Sequence, residues 1–411
     1  MPLYEGFALG SDKHSILFEF GTAYTKCGFV NDYSPRAIIR SELFYEPFKK
    51  VVRLSSIKNE EHLNAALRQF IEMLYFRFLA VNPKDRRVIV VENLFCESTF
   101  RKVLTNVLFN YFDVPSVLYL PQHLMALMTL LIPSGLVVDV GYNECTVIPI
   151  IEGVTCLDSV HFAPLGSKAI HERIYQELKS TESKVITNTE TKTICDEDIF
   201  DDSLLENIKV RLCFVAPFER GQRLQQSDTN LDSTPEDVKY PADGTKIIDI
   251  RGIVRERTAE VLFEDFENEQ SIATLILDSI LKCPLDTRKL LATNIVLVGG
   301  TCILPGFKHR LLSELKSLAD SSRYKDRIYF KDFLFHSPPS KENYTCWLGA
   351  SIFGATDAVN TRSVTRDQYL KSNGKVIGDW CTWYPSKNAI IDIFYSLNEK
   401  LTASSKHNSR T

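Results

Sequence analysis

No run in this 411-residue sequence is apolar for long enough to cross a membrane. The longest candidate, Leu124 to Val138, is broken by Pro133 and falls short of the ~20 residues a spanning helix needs. A basic segment followed by an apolar one is missing at the start, so secretion is not expected and a cytosolic protein is. Charge of one sign is missing too. A net charge of −4, from 48 Lys and Arg against 52 Asp and Glu, leaves no whole-chain electrostatic reason to bind nucleic acid or an anionic membrane. The ten cysteines include no Cys-x-x-Cys pair. Cys27, Cys145 and Cys302 lie beside predicted strands or glycine turns, as reduced, buried thiols do, so neither a disulfide framework nor a zinc site is expected.

The composition, 44% hydrophobic and 24% charged, is that of a globular chain, and its length exceeds what one core usually supports, so two lobes are expected. Two segments stand out. Phe18-Glu19-Phe20-Gly21-Thr22-Ala23-Tyr24-Thr25-Lys26-Cys27-Gly28-Phe29 and Val137-Val138-Asp139-Val140-Gly141-Tyr142-Asn143-Glu144 each read as a buried strand, an acid, then a glycine turn into a second strand. Backbone N–H groups at such turns can hold phosphate oxygens, and a carboxylate behind them can order a hydrated Mg²⁺. Further strands are predicted at Arg36–Arg40, Val88–Glu92, Ser116–Leu120, Cys145–Ile151 and Asn294–Val298. Leu63, Leu67, Phe70, Ile71, Leu74 and Phe78 recur at helical spacing up to the stop at Asn82-Pro83. Helices are also predicted over about Thr99–Phe112, His123–Leu131, Leu204–Phe214 and Ile272–Leu281. The polar stretches Lys179–Asp202 and Gln222–Asp237 read as loops, the pattern weakens after Tyr369, and Ala403–Thr411 reads as a disordered tail.

These hairpins, with Ser34-Pro35-Arg36-Ala37, Val147-Ile148-Pro149-Ile150-Ile151-Glu152-Gly153, Leu205-Glu206-Asn207-Ile208-Lys209-Val210-Arg211-Leu212, Leu297-Val298-Gly299-Gly300-Thr301 and Trp347-Leu348-Gly349-Ala350-Ser351-Ile352, run in order along nearly the whole chain and resemble the actin family. Met1-Pro2-Leu3-Tyr4-Glu5-Gly6, Asn82-Pro83-Lys84-Asp85-Arg86-Arg87 and Ser337-Pro338-Pro339 are most similar to the divergent actin-related subunits of the dynactin pointed-end complex. The resemblance implies an α/β actin-like ATPase fold, two lobes each with a mixed sheet flanked by helices around a nucleotide cleft. It assigns residues 1–129 and 340–385 to a small lobe, with a vestigial subdomain at 41–61. Residues 130–339 form the large lobe, with a further subdomain at about 166–262, and 386–411 form a tail.

The resemblance also implies ATP or ADP with Mg²⁺, held as a structural ligand. Glu19, Gly21, Thr22, Lys26, Asp139, Gly141, Gly166, Lys209, Gly299, Gly300, Thr301 and Ile303 fall at its nucleotide positions, with Glu19 and Asp139 reaching the metal through water. The alternative is that these glycines merely keep tight turns. Glu19 stands for the family's Asp. Tyr142-Asn143 replace an acid–Gly pair where they would crowd the γ-phosphate. Val210 stands for a ribose-binding Glu, and Glu206 and Asn343 for two basic residues. Gln122 matches a water-positioning glutamine, but Thr146 falls where a His assists the attacking water, and a hydroxyl is no general base near neutral pH. Losing such a group costs roughly 10²–10⁴-fold, so hydrolysis is expected to be negligible.

In actin the region after Ser41 forms a subdomain whose loop reaches the next filament subunit. Here Glu42 to Glu61 is too short for three strands of ~5–6 residues and a projecting loop; either this is tolerated loop variation or, as the resemblance implies, the subunit caps a short actin-related filament at its pointed end. Its expected partners are the filament subunit and other pointed-end subunits of dynactin, without nucleic acid or membrane insertion, in support of dynein-driven transport. Met128, Leu130, Leu131, Ile132, Val154 and Phe353 match the groove that receives a neighbour's loop, or pack in the core. Phe263-Glu264-Asp265-Phe266-Glu267-Asn268-Glu269-Gln270 matches the inter-strand plug but carries four acids. Two alternatives stay open, a nuclear actin-related protein of a chromatin-remodelling complex and an active phosphotransferase.

Overall fold

The computed structural model describes residues 14–187, 191–194, 200–226, 234–242, 245–264 and 270–377. The Met1–Gly6 motif, most of the acidic plug and the tail lie outside them. The chain divides into two compact units, Met1–Pro133 with Tyr344–Thr411, and Ser134–Asn343.

The first unit is built on a six-stranded mixed sheet. Numbered in chain order, β1 (Ile16–Phe20), β2 (Tyr24–Phe29) and β3 (Ala37–Arg40) form an antiparallel meander. β6 (Val88–Glu92) and β7 (Ser116–Pro121) run parallel to β1, and every residue of both is buried. That accounts for their mainly apolar composition, with Glu92 and Ser116 only at strand ends, since a parallel strand is covered on both faces. The order is β17-β7-β6-β1-β2-β3, where β17 is Val364–Thr365. α1 (Glu60–Met73) starts at Asn59, whose side chain accepts from the Glu61 and His62 amides, and continues as a wider π-turn through Leu79. It packs with α2 (Ser98–Asn106) on one face. α3 (Gln122–Met128) lies against α11 (Thr345–Gly354). Their approach is close enough that a Cβ on Gly349 would stand 1.7 Å from the Met125 carbonyl. α12 (Ala358–Arg362) and α13 (Arg366–Lys371) follow, and Tyr369 is buried against Phe109, so regular structure persists just past the point where the sequence pattern weakens.

Between β3 and α1 lies one separate two-stranded sheet, β4 (Glu42–Tyr45) and β5 (Lys50–Arg53). Its inward residues Leu43, Tyr45 and Val52 join the core of this unit.

The second unit has a five-stranded sheet from β8 (Gly135–Val140), β9 (Cys145–Ile151), β10 (Val154–Thr155), β11 (His161–Ala163) and β16 (Ile295–Val298), with β8 central between antiparallel β9 and parallel β16. α4 (Ser167–Ser180), α5 (Asp202–Leu212), α6 (Phe218–Gln225), α7 (Gly252–Arg257), α8 (Ile272–Lys282), α9 (Leu285–Ala292) and α10 (Phe307–Ala319) complete it. A four-stranded antiparallel sheet runs β13 (Thr191–Thr193), β12 (Lys184–Thr187), β15 (Lys246–Ile250), β14 (Val238–Pro241). The loop expectation for Lys179–Asp202 is therefore corrected: its described residues hold the end of α4, two strands and the first residue of α5. The polar composition is real, but β13 is fully exposed, and an exposed edge strand needs no apolar residues. Gln222–Asp237 likewise opens inside α6.

Candidate functional site

In an open α/β sheet, ligands bind beyond the carboxyl ends of the parallel strands. In the first unit those ends carry Glu19 on β1, Glu92 on β6 and Gln122 after β7. Glu92 is taken by Arg101, whose Nε donates to it at 2.9 Å. Glu19 is different. Register places it opposite Lys26, and Lys26 Nζ donates to Glu19 Oε1. The other oxygen, Oε2, is buried without a hydrogen-bond partner, in a residue only 4% exposed. An orphaned buried carboxylate oxygen costs about 1–3 kcal/mol or more, and a metal-bound water is the kind of donor that would satisfy it. Lys26 is thus already engaged by Glu19 within the hairpin.

The turn itself is rigid. The Gly21 amide donates to the Tyr24 carbonyl at 3.1 Å, and a Cβ on Gly21 would sit 2.7 Å from that oxygen. From behind, Ser41 Oγ donates to the Gly21 carbonyl at 2.6 Å and meets Thr25 Oγ1 at 2.8 Å. Next to Gln122, His123 is buried, and burial pushes its imidazole down to about 3.

In the second unit β8 and β16 are adjacent and parallel, so the turns that follow them, at Gly141 and Gly299, come side by side. Gly299 has φ +98°, and a Cβ there would lie 2.3 Å from the Val140 carbonyl and 2.7 Å from Asp139 Oδ1. Only glycine fits. Thr301 is fully buried, donating through Oγ1 to the Gly141 carbonyl at 2.9 Å and meeting Ser167 Oγ at 2.8 Å. Gly166 ends against the same hairpin, with its Cβ position 2.5 Å from the Tyr142 carbonyl. By contrast a Cβ on Gly300 would meet no heavy atom within 4 Å, and Ile303 is 43% exposed. Of the positions expected to face a nucleotide here, these two present open surface, while Thr301 and Gly166 brace the turn.

Lys209 is also drawn inward. It is 4% exposed, and its ammonium donates to Ser167 Oγ and to Glu206 Oε2, both at 2.7 Å. Glu206 then meets His171 Nε2 at 3.0 Å, and His171 Nδ1 meets Asp202 Oδ1 at 2.8 Å. Tyr142 donates its hydroxyl to that Asp202 oxygen at 2.5 Å and sets its ring against His171. A continuous polar chain therefore ties the second hairpin to α4 and α5. Burial alone would raise the Glu206 carboxyl, but His171 and Lys209 outweigh it and hold it at about 2. The Glu that replaces a basic residue thus neutralises the lysine beside it, and the phenol expected to crowd a phosphate is anchored on Asp202. Sequence reasoning missed His171 and Asp202, whose only signal was a histidine on a buried helix face.

Thr146, at the place of the expected His, is 1% exposed in β9 opposite Asp139. The groove expectation divides. Met128 and Phe353 are fully buried in the first unit and offer no surface, Leu130 and Ile132 are half-buried there, and Val154 is 37% exposed in the second unit. Their apolar character served packing as readily as docking, which composition alone cannot separate. At the described end of the plug, Phe263 is buried against Phe307, and Glu264 pairs with Arg173. Among the described residues no cluster of acids, histidines and cysteines could hold a metal alone, no disulfide occurs, and no helix is long and apolar enough to cross a membrane.

Residues 10–382 match the family model described as Actin. The chain is similar to Actin-related protein 10 of Dictyostelium discoideum, 29% identical over 432 aligned positions covering 90% of this chain and 89% of that one. It is also similar to a protein of the same organism named as an actin, actin-29, 24% identical over 89% of this chain and 97% of the other. With mixed sheets flanked by helices in each of two units and the family model matched over most of its length, the chain belongs to the actin family.

Proposed function

We propose that this chain is a structural actin-related subunit that ends a short actin-like filament at its pointed end, within a dynactin-type cytoplasmic assembly, and recruits other subunits there. The observation that carries this is the segment after Ser41. It is a single hairpin, β4 and β5, whose tip at Glu46–Phe48 folds back instead of projecting: Phe48 packs on Tyr45 and His62 at 5.1 Å from each. A subunit built this way accepts a neighbour on one end and has no loop to offer on the other. Similarity to a relative named as an actin-related protein supports the coarser part of the reading.

The same subunit is proposed to hold ATP or ADP with Mg²⁺ without turning it over. Each unit taken by itself supports the reading: the first carries the unpaired buried Glu19 oxygen, and the second the open faces of Gly300 and Ile303. In the first unit Glu19, and in the second Asp139, are the carboxylates proposed to act through metal-bound water, and the glycine-hairpin amides of each unit are proposed to hold phosphate oxygens. Bound nucleotide supplies binding energy that stabilises the fold by mass action. Thr146, buried in β9, cannot take a proton near neutral pH, which supports an inert site. Imaging the native complex and acid-quenching its nucleotide tests both points. One copy at the pointed end with unhydrolysed nucleotide is expected. A position inside filaments, or in a nuclear complex without any, would overturn the cap, and turnover on the minutes scale would overturn the inert site.

A further inference from the structure

We propose that Ser41 is a positioning residue for the ligand of the first unit: it holds the first glycine turn from behind, so that the Thr22 amide is aimed at a phosphate oxygen. This deepens the nucleotide reading above and rests on it. Ser41 is the single residue between β3 and β4, and it is 2% exposed. Its amide donates to the Ala23 carbonyl at 2.9 Å, and its carbonyl accepts from the Leu54 amide at 3.0 Å. Its hydroxyl donates to the Gly21 carbonyl at 2.6 Å. Thr25 Oγ1, fully buried, lies 2.8 Å from the same hydroxyl oxygen. A serine hydroxyl has one proton to give. With that proton on Gly21, Thr25 is the donor in the second contact, and it fixes the rotor of Ser41.

The peptide plane carries the consequence. In a planar trans unit the carbonyl and the N–H point in opposite directions. The Gly21 carbonyl and the Thr22 amide belong to one such unit, so a carbonyl pinned on Ser41 turns the Thr22 N–H away from it. That amide donates to no backbone carbonyl among the described residues, whereas the preceding Gly21 amide is used on Tyr24. Two carbonyls of the turn, Gly21 and Ala23, go to the same serine. The turn therefore cannot rotate the Gly21–Thr22 plane without breaking a buried hydrogen bond. Ser41 itself cannot drift, because Leu54, 3% exposed, holds its carbonyl from the core side. An N–H fixed in advance meets an anionic oxygen without first being ordered, which is what makes turn amides effective phosphate ligands.

The test compares the full chain with Ser41→Ala and with Thr25→Val, which removes a buried hydrogen bond of the same cluster but leaves the Gly21 carbonyl held. MgADP is the probe. Its Kd and the hydrogen exchange of the Thr22 amide, with and without saturating MgADP, are measured in each protein. Expected is a Kd about tenfold weaker in Ser41→Ala, the size of one hydrogen bond to a charged oxygen, and within threefold of the parent in Thr25→Val. MgADP should slow Thr22 exchange at least tenfold in the parent and in Thr25→Val, and leave it unprotected in Ser41→Ala. Equal losses in the two variants would reduce Ser41 to a structural residue, and Thr22 exchange indifferent to MgADP in the parent would remove the amide from the site. Should Ser41→Ala not fold, Ser41→Cys, a weaker donor in nearly the same space, takes its place with the same expected outcome. A parent that binds no MgADP overturns the nucleotide reading itself. A parent that binds it with Thr22 unprotected leaves that reading standing and removes only the role of Ser41.

Discussion

Gly299 and Gly300 are neighbours with opposite constraints, and the difference turns a structural turn into a test of ligand binding. A methyl at Gly299 meets the Val140 carbonyl and forces a left-handed alanine, so Gly299→Ala should destabilise by on the order of 1–3 kcal/mol. A side chain at Gly300 meets nothing. Gly300→Val should therefore melt with the parent, yet lose most of the nucleotide recovered on acid quench. Equal nucleotide in the two proteins would remove Gly300 from the site. Acid stability separates two further residues by their windows. Burial holds His123 neutral down to about 3, whereas unfolded it takes a proton near 6.5. Its contribution is complete above pH 6.5 and is lost as pH falls toward 3. Glu206, held at about 2 against an ordinary 4.5, contributes fully above 4.5 and loses that as pH falls toward 2. Each group can tilt stability by at most ~1.4 kcal/mol per pH unit. Denaturant melts at pH 7.5, 6.0, 5.0 and 3.5 should thus show His123→Leu flattening the profile between 6.5 and 4.5.

At the scale of elements, the second unit is joined by a buried ion pair that no local spacing predicts. Arg310 on α10 is fully buried, its guanidinium donating to both oxygens of Glu260 at 2.9 and 2.8 Å, to Glu314 at 2.8 Å and to the Ala216 carbonyl at 2.9 Å. Gly221 on α6 makes room, since a Cβ there would lie 1.8 Å from Arg310 Nη1. Removing one member strands the other charges, so Arg310→Met should cost about 3–5 kcal/mol, and Gly221→Ala should be destabilised through the same contact. A loss under about 1 kcal/mol in urea unfolding would show the pair to be dispensable. Strands and helices whose residues are buried on a fixed period, β1, β6, β8 and α1 among them, were legible because apolar repetition is local. The glycine hairpins were legible because a turn needs glycine wherever it lies. Arg310–Glu260 and the chain from Tyr142 through Asp202 and His171 to Lys209 were not, because pairs 50 and 60 residues apart leave no spacing to read. The same holds for Met128 and Phe353: an apolar residue carries no mark of whether it faces core or partner.

For the whole molecule the decisive matter is how many ends a subunit can join. An actin-family filament grows when each subunit both receives a neighbour and extends a loop into the next. The segment from Glu42 to Arg53 here is committed to its own unit by Leu43, Tyr45 and Val52, and its tip is held on Tyr45 and His62. Extending it would mean exchanging those buried contacts for intersubunit ones, a trade with no evident gain for a hairpin this short. The purified chain should therefore stay monomeric in sedimentation under salt and Mg²⁺ conditions that assemble actin. Added at a few per cent to a filament of an actin-related protein, it should, on the proposed capping role, slow subunit exchange at the pointed end at least tenfold and leave the opposite end unchanged. Replacing Glu46–Lys49 with a longer flexible loop should weaken that block if the short hairpin is its cause. Pelleting of the unmodified chain alone, or equal slowing at both ends, would mean that the missing loop is not what sets its place in a filament.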